Sequence, residues 1–208
     1  VIQSGNVDSQ TIGEYTLTYS ATNSNNQTTE IIQRINILPD EFTTVWKTDN
    51  EGLSDDNQIT LNTNLIDFPM DYNYAVDWGD GQTDTDITAD ITHTYAQAGT
   101  YTVIITGEYP QIYFPQANVD AQKLIEVKRW GNNSWRSMKQ AFTGSFYLDI
   151  SAQDIPDFTF VRDMSFMFYD ARDFNSDISG WDVSLVEDMS FMFHIAMNFS
   201  LFQWLSEL

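Results

Sequence analysis

Hydrophobic and polar positions alternate through the first 38 residues, as in Tyr15-Thr16-Leu17-Thr18-Tyr19-Ser20-Ala21 and Ile31-Ile32-Gln33-Arg34-Ile35-Asn36-Ile37. Alternation puts every second side chain on one face, which is what a half-buried strand needs. The polar run Asn23-Ser24-Asn25-Asn26-Gln27 between them reads as a turn. Residues 1–38 are too few to close two sheets, so they read as the C-terminal part of a larger β-domain, its last hairpin. Pro39-Asp40-Glu41 is the expected linker.

Residues 39–129 keep the strand texture. Short apolar runs at Phe42–Lys47, Gln58–Asn62, Tyr72–Trp78, Ile91–Tyr95, Thr100–Thr106 and Leu124–Lys128 are separated by Gly, Asp and Asn turns, the spacing of a small sandwich. Asp80-Gly81 directly after Val76-Asp77-Trp78 is a hairpin signal, because glycine tolerates the positive φ that tight turns require.

From residue 130 the period changes. Asp163-Met164-Ser165-Phe166-Met167-Phe168 recurs as Asp188-Met189-Ser190-Phe191-Met192-Phe193, an offset of 25. Ala171 and Phe174 return as Ala196 and Phe199, and Ser137-Met138 with Ala141-Phe142 echo the pattern one unit earlier. Met164, Met167, Phe168 and Ala171 stand at i, i+3, i+4 and i+7, so the spacing predicts a short helix with one apolar stripe. Asp163 and Asp188 occupy its expected N-cap. Asp177-Ile178-Ser179-Gly180-Trp181-Asp182-Val183 reads as a brief strand and turn. One such unit cannot bury its own apolar face, so residues 130–208 are expected to stack as a solenoid. The fold class expected is mainly β plus α/β repeats. At Leu201-Phe202-Gln203-Trp204-Leu205 the pattern degenerates, as a truncated array or an irregular cap would.

Charge narrows the partners. Nine Lys and Arg against 30 Asp and Glu give a net charge of −21. Nucleic acid is excluded as a partner, since binding it requires cations that displace phosphate counterions. An anionic membrane surface is disfavoured for the same reason, and no apolar run approaches bilayer length, so no membrane insertion is expected in this segment. A hydrophobic content of 42% is ample for a packed core. Cysteine is absent and histidine numbers two, which removes thiolate chemistry and most zinc or His-based catalysis. The chain opens at Val1 with no leader, which reads as a piece of a longer polypeptide.

Phe174-Asn175-Ser176-Asp177-Ile178-Ser179-Gly180-Trp181-Asp182-Val183-Ser184, with Val186 and Met189 to Phe193 after it, resembles the BspA-like leucine-rich-repeat surface proteins of bacteria. Tyr74-Ala75-Val76-Asp77-Trp78-Gly79-Asp80-Gly81, then His93-Thr94-Tyr95 and Ala98-Gly99-Thr100-Tyr101-Thr102-Val103, is similar to a polycystic-kidney-disease (PKD) type Ig-like domain. Gly13 to Asn23 looks like the end of a bacterial Ig-like surface repeat. These resemblances imply an Ig-like, PKD-like β-sandwich followed by a short leucine-rich-repeat solenoid, displayed on a bacterial surface or secreted. They imply adhesion or ligand capture, with a protein or glycan on a host, a neighbouring cell or a surface as partner. They bring no catalytic residues.

Candidate sites are few. Asp77, Asp80, Asp84, Asp86 and Asp90 could supply the oxygens a calcium ion prefers, and Asp49, Asp55 and Asp56 form a similar cluster. The competing reading is turn chemistry on a solvated edge, where Asp bonds its own backbone and repels edge pairing. Calcium is thus the one cofactor the sequence raises. Tyr109, Tyr113 and Trp135, near the junction with residues 130–208, could stack on a sugar or anchor a protein, while Trp130 is expected to seal that junction. His93, beside an aromatic, reads as structural. No nucleophile motif or phosphate loop occurs, so enzyme chemistry is not expected. The function expected is a non-catalytic surface module for adhesion. The alternative is a carbohydrate-binding accessory module of a secreted polysaccharide-degrading system.

Overall fold

The computed structural model describes residues 2–7, 13–37, 41–69, 71–115 and 119–200. The chain divides into two compact units, Val1–Pro39 and Asp40–Leu208. Of the expected linker, only Glu41 lies within the described residues.

The first unit is a three-stranded antiparallel sheet of β1 (Ile2–Ser4), β2 (Gly13–Thr22) and β3 (Thr28–Ile37), in that order. The β2–β3 register runs unbroken from Gly13 opposite Ile37 to Thr22 opposite Thr28. The polar run forms the turn, because Asn23 Oδ1 accepts the amides of Asn25 and Gln27. Leu17 is buried, whereas Ile31 and Ile32 are 67% and 61% exposed.

The second unit is built on a six-stranded sheet. Its strands are β4 (Phe42–Lys47), β6 (Asn73–Asp77), β7 (Thr83–Ile87), β9 (Thr100–Glu108), β10 (Leu124–Arg129) and β11 (Asp149–Ile150). Their order is β11-β10-β4-β9-β6-β7, antiparallel except for the parallel β10–β11 pair. A separate two-stranded sheet pairs β5 (Gln58–Leu61) with β8 (Ile91–Thr94). Central β4 buries Phe42, Thr44, Val45 and Trp46 in near succession, as a strand covered on both faces does. The Asp80-Gly81 signal turns β6 into β7. The strand β7 has no counterpart among the expected strands, because it buries only Ile87 and so shows no apolar face.

Beyond β10 the structure corrects the expected fold class. Among the described residues the sole helix is the 3-10 turn Asp120–Lys123, and the chain does not form α/β coils of the leucine-rich-repeat type. Where helices were expected, amide partners alternate. The amides of Met164, Phe166, Phe168 and Asp170 donate to the carbonyls of Asp188, Ser190, Met192 and His194. Those of Met167, Tyr169 and Ala171 bond locally to Met164, Phe166 and Phe168, three residues back. The amides of Met138, Gln140, Phe142 and Gly144 bond Asp163, Ser165, Met167 and Tyr169 in the same manner. An α-helix needs a residue four back as every amide's partner, so this pattern leaves it none.

Positive φ at Gln140, Gly144, Phe166, Asp170, Phe191 and Ile195 confirms a chain of tight turns, since an L-residue helix holds φ negative throughout. The expected brief strand at 177–183 is likewise a pair of turns, with Asp177 Oδ1 bonded to Ser179 and Asp182 Oδ1 to Ser184. The apolar stripe is nonetheless buried: Met164, Met167, Phe168 and Ala171 are all enclosed. One hydrophobic cluster joins it to the sheet through Trp130, which stacks on Phe42 at 5.8 Å and meets Phe142 and Trp181 edge-on. The degenerate stretch at 201–205 lies outside the described residues.

Candidate functional site

The β6–β7 turn is held by rings and carboxylates. Trp78 stacks on His93 at 4.6 Å with planes 7° apart, and His93 meets Tyr95 edge-on. His93 Nε2 lies 3.0 Å from Asp80 Oδ2, Trp78 Nε1 donates to Asp84, and the Tyr95 hydroxyl donates to the Trp78 carbonyl. His93 is only 8% exposed, so it serves the core. Burial pushes the Tyr95 hydroxyl up, and nearby Asp80, Tyr101 and Asp77 add to the shift. The Asp80 carboxyl is pushed up by burial, but the bonds from His93 and from the Gln82 amide and side chain outweigh this and hold it low.

These bonds spread the candidate calcium ligands over separate tasks. Asp77 caps the Gly79 amide, Asp80 serves Gln82 and His93, Asp84 takes the indole N–H, and Asp86 accepts the Thr85 hydroxyl. Asp90 instead accepts the amide and hydroxyl of Thr63. Among the described residues no group of three or more acidic or histidine side chains is placed to hold a metal ion. Asp77 and Asp80 show the turn chemistry read from the sequence, each accepting the amide two residues on, whereas Asp84 and Asp86 accept from side chains and Asp90 ties down the distant Thr63.

An ion pair at Asp120 and Lys123 had no sequence signal, because both residues look like ordinary surface charges. Both are buried, with Nζ 3.9 Å from Oδ1. Lys123 Nζ donates to the carbonyls of Ser54, Asp55 and Gln58 and to the Ser54 hydroxyl. Asp120 accepts the amides of Ser54 and Thr60 and the Ser54 hydroxyl. Desolvation lowers the Lys123 pKa against the pull of Asp120, Asp56 and Asp55. The pair therefore fastens the loop between β4 and β5 from inside.

The ring candidates are placed differently from their expected exposure. Trp135 is fully enclosed, meeting Phe42 edge-on at 5.0 Å, and Tyr109 is buried among Tyr72 and Tyr74. Burial pushes the Tyr109 hydroxyl well up, with Tyr74, Tyr72 and Asp90 adding to it, and pushes the Tyr72 hydroxyl up to about 12. Tyr113 is half-buried and shares with Tyr109 the wall of a cavity of about 10 Å³, room for a water and not for a sugar ring. Neither Trp135 nor Tyr109 offers a face to a ligand, because core packing consumes both sides of an enclosed ring.

A groove on the second unit does offer such a face. Phe68, Glu108, Ser134, Arg136 and Phe160 line a space of about 590 Å³. Phe160 is 63% exposed, a large ring turned to solvent. Its turn is braced by Asp157 bonded to the Thr159 amide, Val161 bonded to the Phe158 carbonyl, and Arg162 Nη1 bonded to the Thr159 and Val161 carbonyls. On the other wall the Phe68 amide bonds Asn64, whose side chain bonds Asp67 and buried Gln111. Arg136 Nη1 donates to Asp71 Oδ2 at 2.6 Å, and its amide donates to the Pro110 carbonyl. The walls are thus set by bonds outside the groove. Sequence reading missed this constellation because its members come from three separate connections and the end of β9 and share no spacing.

Two stretches resemble known families. Residues 1–37 match the family described as bacterial surface protein, Ig-like domain. Residues 112–207 match the family described as Mycoplasma protein of unknown function, DUF285. No curated protein and no solved structure matches the chain. The first match associates the chain with the bacterial surface. Among the described residues no helix is long and apolar enough to cross a membrane.

Proposed function

We propose that this chain is a non-catalytic surface-associated module that works in adhesion by holding a ligand against a preset face. The β-strands act as the spacer, and the groove around Phe160 is the contact. The observation that carries this reading is the braced groove: one exposed ring and a second, half-buried one stand with a guanidinium, a carboxylate and a hydroxyl in a space of ligand size. The surface-family match over residues 1–37 supports display outside the cell. The PKD-type resemblance of residues 74–103 supports a spacer role for the sheet.

Adhesion is tested with beads carrying the chain, exposed to bacterial cells, host-cell surfaces and polysaccharide coatings. Beads carrying the protein should be retained by at least one surface, and Phe160→Ser beads should be released. Equal retention of both, or of neither above uncoated beads, would overturn the reading.

A further inference from the structure

We infer that the groove of Phe68, Glu108, Ser134, Arg136 and Phe160 takes a neutral saccharide, a proposal that rests on the adhesive reading above and gives its ligand a chemical class. A pyranose has an apolar C–H face and a rim of hydroxyls. The groove has matching parts. Phe160 presents a ring with no polar handle, suited only to stacking, and Phe68 supplies a second apolar surface. In the same lining Ser134 can donate or accept, Glu108 can accept, and Arg136 can donate.

Charge decides against an acidic sugar. The groove's one guanidinium is already paired with Asp71, and Glu108 adds a second carboxylate, so the local balance is one cation against two anions. The whole chain carries −21. A uronic or sialic acid would bring its carboxylate into that field with no unpaired cation to meet it.

The braced walls favour binding because little order has to be created when the ligand arrives. Glu108 has a further role in this arrangement as the selector: its charge repels an acidic sugar while its oxygens accept from neutral hydroxyls.

The test is calorimetry and array binding with the intact 208-residue chain, using neutral oligosaccharides (glucose, mannose and N-acetylglucosamine oligomers) beside uronic-acid and sialylated ones. Neutral oligosaccharides should bind, and Phe160→Ala should weaken them about tenfold or more while leaving the melting curve unchanged, since the ring is exposed. Glu108→Gln should retain neutral binding within a few-fold, and acidic glycans should be admitted only when Asp71→Asn is added to it, since that change frees Arg136. Binding of acidic glycans by the unaltered protein, or neutral binding indifferent to Phe160→Ala, would overturn the inference while leaving adhesion intact. Bead retention through a protein partner with no glycan bound would do the same. Absence of both glycan binding and bead retention in the unaltered protein would remove the adhesive reading itself.

Discussion

Asp163 and Asp188, one turn of the recurrence apart, form a parallel β-bridge, and each Oδ1 accepts the amide of the serine two residues on. This is the bond an N-cap makes, so the aspartates by themselves are as compatible with a helix start as with a turn. The bridge then commits the neighbouring amides to the next turn of chain. That relationship explains why a helix-like spacing of Met and Phe yields turns.

Met167 tests whether the buried seam holds this region together. Met167→Asp places an unpaired charge among enclosed side chains and should unfold residues 130–200, seen as loss of near-ultraviolet circular dichroism and a lowered urea midpoint. Met197→Asp, at a side chain 67% exposed, should change stability by no more than about 0.5 kcal/mol. Equal stability of both variants would show that the seam is not core.

Lys123→Ala leaves the Asp120 charge buried without its cation and removes a donor from three carbonyls. Breaking a buried pair in this way costs about 3–5 kcal/mol. The urea midpoint should fall accordingly, and amide exchange in the 50–60 loop should accelerate. A variant with unchanged exchange in that loop would refute the fastening role.

Two glycines of the β6–β7 turn should differ. Both have positive φ, +77° at Gly79 and +89° at Gly81. A methyl at Gly79 would overlap the Thr102 carbonyl, whereas at Gly81 it meets nothing within 4 Å. Gly81→Ala should therefore cost only the backbone strain of about 1–2 kcal/mol. Gly79→Ala should cost clearly more, because β9 backbone must move. Melting temperatures in the opposite order would contradict the turn geometry.

Acid should weaken the unit through Asp80. Its folded-state pKa is held below the usual carboxylate value, so the unfolded chain takes up the proton first as pH falls. The stabilisation is complete above the unfolded value near about 3.9 and is lost as pH drops through the depressed folded value. Asp80→Asn should be less stable than the parent at neutral pH and should show a shallower loss below about pH 4. Parallel stability curves for the two proteins down to pH 2 would exclude this contribution.

Much of the β architecture was legible in order along the chain. The runs from Phe42, Gln58, Tyr72, Ile91, Thr100 and Leu124 each overlap an observed strand, because short apolar runs bounded by turn residues are visible in the residues themselves. β7 escaped since an edge strand that buries only Ile87 has no apolar period to read. The groove escaped for a different reason: Phe68, Glu108, Ser134, Arg136 and Phe160 become neighbours only when three connections converge on the end of β9.

The residues alone determined where strands with an apolar face run, that Met164, Met167 and Phe168 face inward, and that the chain is strongly acidic, since these follow from local spacing and composition. Tertiary structure decided that the inward stripe lies on turns and not helices, because the choice depends on whether amides bond within the turn or to the next one. It also decided which charges are buried, as at Lys123, and which rings remain open, as at Phe160, since burial is a property of what the rest of the chain covers.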